Sequence, residues 1–597
     1  MSQARSRRIP IGVALLFAFF LVPSSVEFYT DWLWFGEVGY QHVFLRALSI
    51  KSTLGAVVFG AAFAFLFVNL RIAFRTLTRR ELVLVTPDGP RVVVIDPTRL
   101  RPLVGVAAGL GSLLLSLYAG SHWEDWMRFW NATPFGTVDP VLGRDIGFYI
   151  FVLPFLQWLQ SFALLLILLT MAGVTVMYAS AGRLGAGFAE GVFIRPPALS
   201  HLSVLAALWL VALAFGAWLS IPELLITPSG IVHGASYVDV HARMPALRAL
   251  AIVSALGVLL AFYQAFQQKL WPLAAAVALY LLVSIGGVGY AAVLQRFVVA
   301  PNEQTRETPY LVYNIEATRA AFGLTGVAER ELSGDAELTR ADIDRNDVTL
   351  KNVPLWDHQP LLDTFGQIQE IRTYYDFVSV DNDRYTIDGE YRQIMLSARE
   401  LNSESLPNRN WINERLTFTH GYGLTLGPVN QVTSEGLPVL FIKNLPPEST
   451  VAGLDVKEPG IYFGELSNDH VFVRTKTKEF HYPRGEDNVF AEYQGRGGVS
   501  VGSLWRKLIF SLRFRSIKSL LSDDLTAESR VMFHRRISER VELIAPFLAY
   551  DPDPYLSIDR GRLVWIQDAY TTSSRYPYAE RAGGVNYIRN SVKVVID

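Results

Sequence analysis

Long uninterrupted apolar runs fill the first half of the chain, and short alternating runs fill the second. A helix needs about 20 apolar residues to cross roughly 30 Å of hydrocarbon. Seven runs approach or reach that length: residues 9–26, 53–72, 103–120, 155–178, 202–221, 247–266 and 270–293. The pattern predicts an α-helical transmembrane bundle of about seven spans over residues 1–299. A mixed α/β (α+β) extracytoplasmic domain over 300–597 follows, because strand-like runs there alternate with amphipathic helical ones. Asp88-Gly89, Asp388-Gly389 and Arg560-Gly561 each sit between strand-like runs and predict hairpins, the first near 81–96. Residues 525–548 read as one helix, capped by Ser522, Asp523 or Asp524 and closed by Pro546. Residues 323–347 are polar and read as a linker.

Basic residues orient the spans. Counted over the short loops, thirteen Arg and Lys fall on the side of the N-terminus and six on the other. The N-terminus is therefore expected in the cytoplasm, the 81–96 hairpin with it, and the chain beyond about Gln295 outside. The first run follows Arg5, Arg7 and Arg8 without a small-x-small cleavage site, so it reads as an uncleaved anchor rather than a signal peptide.

Two Trp-rich acidic stretches leave the outer ends of spans one and three: "EFYTDWLWFGEVGY" (27–40) and "HWEDWMRFW" (122–130). Half-apolar rings with a wet N–H or O–H favour the headgroup layer, so both are expected to lie along the outer interface. The rival is an aromatic cage for a ligand. The span interiors carry no Asp, Glu, Lys, Arg or His, which disfavours an ion-coupled transporter but leaves a lipid transporter open. Gly105, Gly109, Gly286 and Gly287 suit close helix packing.

Composition adds three points. Hydrophobic residues make up 51% of the chain and its mean hydropathy is +0.25, as lipid contact requires. The net charge of −1 gives no bulk attraction to nucleic acid. The absence of cysteine removes disulfides, thiolate metal sites and cysteine nucleophiles.

Candidate chemistry is sparse. "GVSVG" places Ser500 in a G-x-S-x-G pattern, the shape of a nucleophile elbow. The stretch before it, "EYQGRGG", is no buried strand, and His534 follows too soon for an α/β-hydrolase. A glycine-rich turn with Ser500 or Ser503 capping a helix explains the same residues. The glycines make no P-loop, since Ser503 stands where the lysine belongs. Asp381 and Asp383, and likewise Asp551 and Asp553, could hold a cation or simply build turns. His420, His470 and His481 lack metal-motif spacing and read as core histidines. No cofactor is implied.

Several stretches, "DWLWFGEVGY", "NEQTRETPYLVYNIEATRAAFGL", "RNWINERLTFTHGYG", "VFAEYQGRGGVSVGSLWRKLIFSLRF" and "DPDPYLSIDRGRLVWIQDAYTTSSRYPYAE" among them, are similar to uncharacterised protein family 0182, a bacterial group. The resemblance covers nearly the whole chain. It implies a multi-pass plasma-membrane protein with a large extracytoplasmic region, and it brings no functional residues. Family members continue past "NSVKVVID", so the chain resembles a C-terminally truncated member. The expected role is non-enzymatic, a protein in contact with the bilayer that binds envelope lipids, polymers or other membrane proteins. The alternatives are a lipid or envelope-polymer transporter and, more weakly, an envelope serine hydrolase at Ser500.

Overall fold

The computed structural model describes residues 21–78, 80–86, 89–95, 97–187, 191–335, 337–466 and 469–596. The chain divides into two compact units. A helical unit comprises Ala47–Ala328 and Thr572–Arg589. A sheet unit comprises Glu329–Thr571, Asn590–Asp597 and the chain up to Arg46.

In the helical unit, six helical stretches among the described residues are long and apolar enough to cross a membrane: Gln41–Phe74, Arg101–Ser121, Phe148–Ser180, Pro196–Glu223, Asp239–Gln267 and Trp271–Ala321. They contain predicted runs two to six and all of run seven but its first residue, Leu270. The first predicted run, 9–26, lies mostly outside the described residues; helix α1 begins the described chain at 21–37. We name the rest α2 (Gln41–Phe74), α3 (Pro97–Ser121), α4 (Trp123–Trp130), α5 (Leu153–Ser180), α6 (Pro196–Glu223), α7 (Met244–Gln267), α8 (Trp271–Leu294) and α9 (Glu303–Ala321). Leu282, Ile285 and Val288 on α8 are each about 70% exposed, a poor face for water and a good one for acyl chains.

Polar side chains tie neighbouring helices of the bundle together. His201 on α6 meets Asn69 of α2 at 2.9 Å and the Tyr178 hydroxyl of α5 at 3.1 Å. Of the four candidate packing glycines, one is confirmed: a Cβ on Gly287 would lie 2.7 Å from that of Ala246, so α7 and α8 approach closely there. Gly105, Gly109 and Gly286 have no heavy atom within 4 Å of such a Cβ and need another explanation. Single π-helical turns precede α5 and α7 and follow α8, at Phe148–Val152, Asp239–Arg243 and Gln295–Val299.

The hairpin predicted near 81–96 pairs Arg80–Thr86 with Gly89–Ile95, in register from Arg80↔Ile95 to Thr86↔Gly89; turn residues 87–88 lie outside the described set. In the sheet unit, Asp381–Ile387 turns onto Glu390–Leu401 through Asp388-Gly389. Tyr555–Asp559 likewise turns onto Arg562–Ser573 through Arg560-Gly561. Both two-residue turns carry positive φ at each position, the geometry that matches the twist of the flanking strands. The six-stranded antiparallel sheet built on Glu390–Leu401 and the four-stranded sheet built on Arg562–Ser573 share a core of Ile394, Leu396, Leu426, Leu556 and Trp565.

Two expectations fail here. The helix predicted over 525–548 is a strand, Arg530–Met532, then a bend, then a short helix, Ile537–Ile544. Val531 is fully buried and the strand pairs with both Val471–Val473 and Val499–Ser500, so tertiary pairing overrides local helical preference. The second is "EFYTDWLWFGEVGY". Trp34 and Phe35 are buried with Phe472, Phe510 and Val531 in the protein core, not presented to an interface. Its three acids are paired within the same unit. Arg513 reaches Glu27 at 3.0 Å and Asp31 at 3.1 Å, and Glu37 accepts from the Gly498 N–H at 2.9 Å and faces Arg540 at 3.4 Å. The other stretch behaves differently: α4 buries no residue, stacks Phe129 on Phe155 at 4.2 Å and leaves Trp130 72% exposed.

Candidate functional site

Each residue singled out for candidate chemistry has a place in the sheet unit. The short strand Val499–Ser500 does lead through a turn into a helix, Leu504–Arg513, whose first turn is capped by the Ser503 hydroxyl accepting from the Arg506 N–H. Gly502 is there because a Cβ would fall 2.2 Å from the Ala527 carbonyl oxygen. His534 spends Nδ1 on Glu539 at 2.7 Å, with Nε2 4.0 Å from Asp31. Among the described residues no histidine hydrogen-bonds Ser500, so no base is placed to activate it.

The four aspartates have different partners. Asp381 accepts from the Leu556 N–H at 2.8 Å, and Asp383 accepts from the Ser557 hydroxyl at 2.7 Å; both stitch the two sheets together. Asp551 accepts from the Asp553 N–H and the Tyr570 hydroxyl, a turn built on its own side chain. Asp381 and Asp553 border one shallow cleft with His358 and Tyr555. No three His, Asp or Glu side chains converge as a metal site among the described residues. His420 and His481, far apart in sequence, meet at 3.1 Å, and burial pushes His420 down to about 3, so the pair is a neutral core contact. His470 stacks flat on Phe514 at 3.8 Å.

The Ser379 hydroxyl bridges Asp381 at 3.4 Å and Glu465 at 2.8 Å. Burial pushes Asp381 up to about 7 and Glu465 up to about 8, with the Asp381 charge adding to the effect on Glu465. A carboxyl raised on folding stabilises fully below its unfolded pKa and loses that contribution as pH rises through the folded value. The sheet unit is therefore expected to lose stability between about pH 5 and pH 8, on the order of a few kcal/mol. Asp381→Asn combined with Glu465→Gln flattens that slope. Hydrogen-exchange protection of Asp381–Ile387 and Tyr555–Asp559 across that range checks it.

The helical unit holds a cavity of about 850 Å³. Its floor is apolar: Leu247 and Leu250 on α7, Val288, Ala291 and Ala292 on α8. Its rim is polar, formed by Glu223, Ser229, Ser236, Arg243, Glu303 and Glu307. The local chain explains these positions. The π-helical turn Asp239–Arg243 puts Arg243 Nη1 2.7 Å from buried Asp239, whose other oxygen accepts from the Ser236 N–H and hydroxyl, both at 2.9 Å. Ser236 in turn sits 3.1 Å from Ser229. Glu303, Glu307 and Tyr310 share one face of α9 by i, i+4, i+7 spacing. Glu307 is 3% exposed and accepts from the Tyr237 N–H at 3.1 Å. The segment Thr572–Arg589 closes the rim from behind. The Tyr578 N–H donates to the Leu225 carbonyl at 2.9 Å and its hydroxyl to the Ala235 carbonyl at 2.8 Å. Gly234 (φ 129°) admits the Tyr578 ring, which would stand 2.6 Å from any Cβ there.

Sequence reading passed over these rim residues. The signal was present in "NEQTRETPYLVYNIEATRAAFGL", where two glutamates recur at helical spacing beside the last apolar run.

A family model described as "Uncharacterised protein family (UPF0182)" matches residues 8–597. A UPF0182 protein of Geobacter sp. (strain M21) is 43% identical over 611 residues, covering 100% of this chain and 67% of its own length. One from Geobacter sulfurreducens is 42% identical over 605 residues, with the same two shares. One from Moorella thermoacetica is 43% identical over 603 residues, covering 97% of this chain and 65% of its own. The chain thus spans about two thirds of the length of these curated relatives. No solved structure matches.

Proposed function

The chain belongs to the uncharacterised protein family UPF0182, and from that premise we propose that it is a non-enzymatic binding protein of the plasma membrane whose ligand is an amphiphilic envelope component. One observation carries the reading: the roughly 850 Å³ cavity whose floor is made by two candidate membrane helices and whose rim is charged. That volume suits one small ligand, and the division of apolar floor from polar rim suits a chain joined to a head. In this reading residues 9–26 supply a seventh span. The N-terminus and the 81–96 hairpin are cytoplasmic, and the C-terminal half is extracytoplasmic, in keeping with the thirteen-to-six bias of basic residues. A lipid or envelope-polymer transporter is the second reading. The π-helical turns at the ends of three spans favour it, since such turns are places where a helix changes register.

The test is isolation of the full-length protein in nanodiscs cut from native membranes, with mass spectrometry of the retained lipids. Val288→Trp fills the floor from a largely exposed position. The expected result is one amphiphile class enriched about fivefold over bulk lipid, and its loss in the variant. Identical lipid profiles for both proteins and the surrounding membrane would remove the reading.

A further inference from the structure

We infer that the cavity of the helical unit takes an envelope lipid with a primary ammonium head, held by Glu307. This rests on the amphiphile-binding reading above and names the head that the rim selects.

Charge is the first argument. Four carboxylates gather at the rim or directly behind it: Glu223, Asp239, Glu303 and Glu307. Among the described residues one guanidinium lines the cavity, that of Arg243, and it is committed to Asp239 at 2.7 Å. Glu223 lies in the field of Arg575, whose guanidinium donates to Gln157 at 2.9 Å. Arg306 stands over the Tyr237 ring at 5.3 Å. Glu303 and Glu307 form no ion pair among the described residues.

Burial is the second. A carboxylate offers about four acceptor positions. Glu307 is almost fully enclosed, yet the Tyr237 N–H is its one donor among the described residues. An enclosed carboxylate with a single neutral donor is under-satisfied, and a ligand bringing several N–H donors and a positive charge completes it.

The lining supplies the third. No aromatic side chain lines the cavity among the described residues. Quaternary ammonium heads carry no N–H and are recognised by aromatic faces. A primary ammonium instead needs oxygen acceptors, and Glu303, Glu307, Ser229 and Ser236 provide them. The floor of Leu247, Leu250 and Val288 then covers the chain.

The experiment uses the full-length protein in nanodiscs of choline-headed lipid. Displacement of a fluorescent dodecyl probe is measured with dodecylamine, dodecyltrimethylammonium, dodecanol and ethylamine. Dodecylamine should bind about tenfold tighter than dodecanol or the trimethylammonium compound. Ethylamine should need concentrations more than about a thousandfold higher, which separates a lipid from a free amine. Glu307→Gln should cut the amine's advantage over dodecanol to about twofold, and an unchanged thermal unfolding midpoint reports that the variant is folded. An amine no tighter than dodecanol in the unaltered protein overturns the inference, and so does an advantage that survives Glu307→Gln. If all three dodecyl compounds bind equally and Val288→Trp weakens them all, the head assignment falls and the cavity reading stands. If Val288→Trp alters none of them, both fall.

Discussion

Arg535→Ala is expected to destabilise the sheet unit by about 3–5 kcal/mol. The side chain is 2% exposed and its guanidinium donates to three main-chain carbonyls, those of Tyr462 at 2.7 Å, Thr419 at 2.7 Å and Asp469 at 3.2 Å. These carbonyls come from separate segments, so one planar fork closes the junction between them. Burial lowers the Arg535 pKa to about 10, still charged at neutral pH, with Asp469 and Glu400 nearby to offset the lost hydration. Alanine leaves three enclosed acceptors without donors, and lysine cannot restore the fork. Arg560→Ala is the control: its side chain is 92% exposed, 3.9 Å from Asp559, and its loss should leave the unfolding midpoint where it was. Denaturant titration followed by tryptophan fluorescence reads both, since Trp34 and Trp565 are buried in this unit.

Tyr578→Ala is expected to cost the helical unit a similar amount, about 3–5 kcal/mol. The ring is fully buried, packs edge-on to Tyr313 at 5.7 Å and fills the space that Gly234 leaves open. Tyr578→Phe keeps the ring and gives up the hydroxyl bond to Ala235, a loss of about 1 kcal/mol. Thermal unfolding in detergent should rank the alanine variant well below the phenylalanine one. The same ring fixes the loop carrying Ser229 and Ser236, so the alanine variant should also release a bound dodecyl probe more readily. Equal stability of the two variants would mean that the 572–589 segment does not anchor the rim.

Local signals in the chain foretold local structure. Two-residue turns at Asp388-Gly389 and Arg560-Gly561 sit where the dipeptides place them, because backbone preference at positive φ needs no tertiary help. Six apolar runs became helices of spanning length for the same reason. What was lost depended on residues far away in sequence. The acids of "EFYTDWLWFGEVGY" find Arg513 and Arg540, nearly five hundred positions later, and no windowed reading sees them. The 525–548 stretch has helical composition, but Val531 buries itself as a strand between two others. The cavity was hidden differently. Its floor was legible as two spans, whereas its rim is assembled from a π-helical turn, a short hairpin at Pro228–Ser229 and Val232–His233, and the face of α9. Glu307 looked like an ordinary solvated charge until the Tyr237 N–H and the neighbouring loop enclosed it.

The proposed binding role depends on which side of the bilayer each segment occupies. None of the 597 residues is cysteine, so a thiol introduced at one position is the only one in these 597 residues to label. Arg75→Cys, Leu282→Cys and Glu337→Cys, treated in spheroplasts with a membrane-impermeant maleimide, read the arrangement directly. The account predicts that position 337 labels from outside, position 75 labels only after permeabilisation, and position 282 labels under neither condition. Labelling of position 75 from outside, protection of position 337 until the membrane is opened, or ready reaction at position 282 would contradict it.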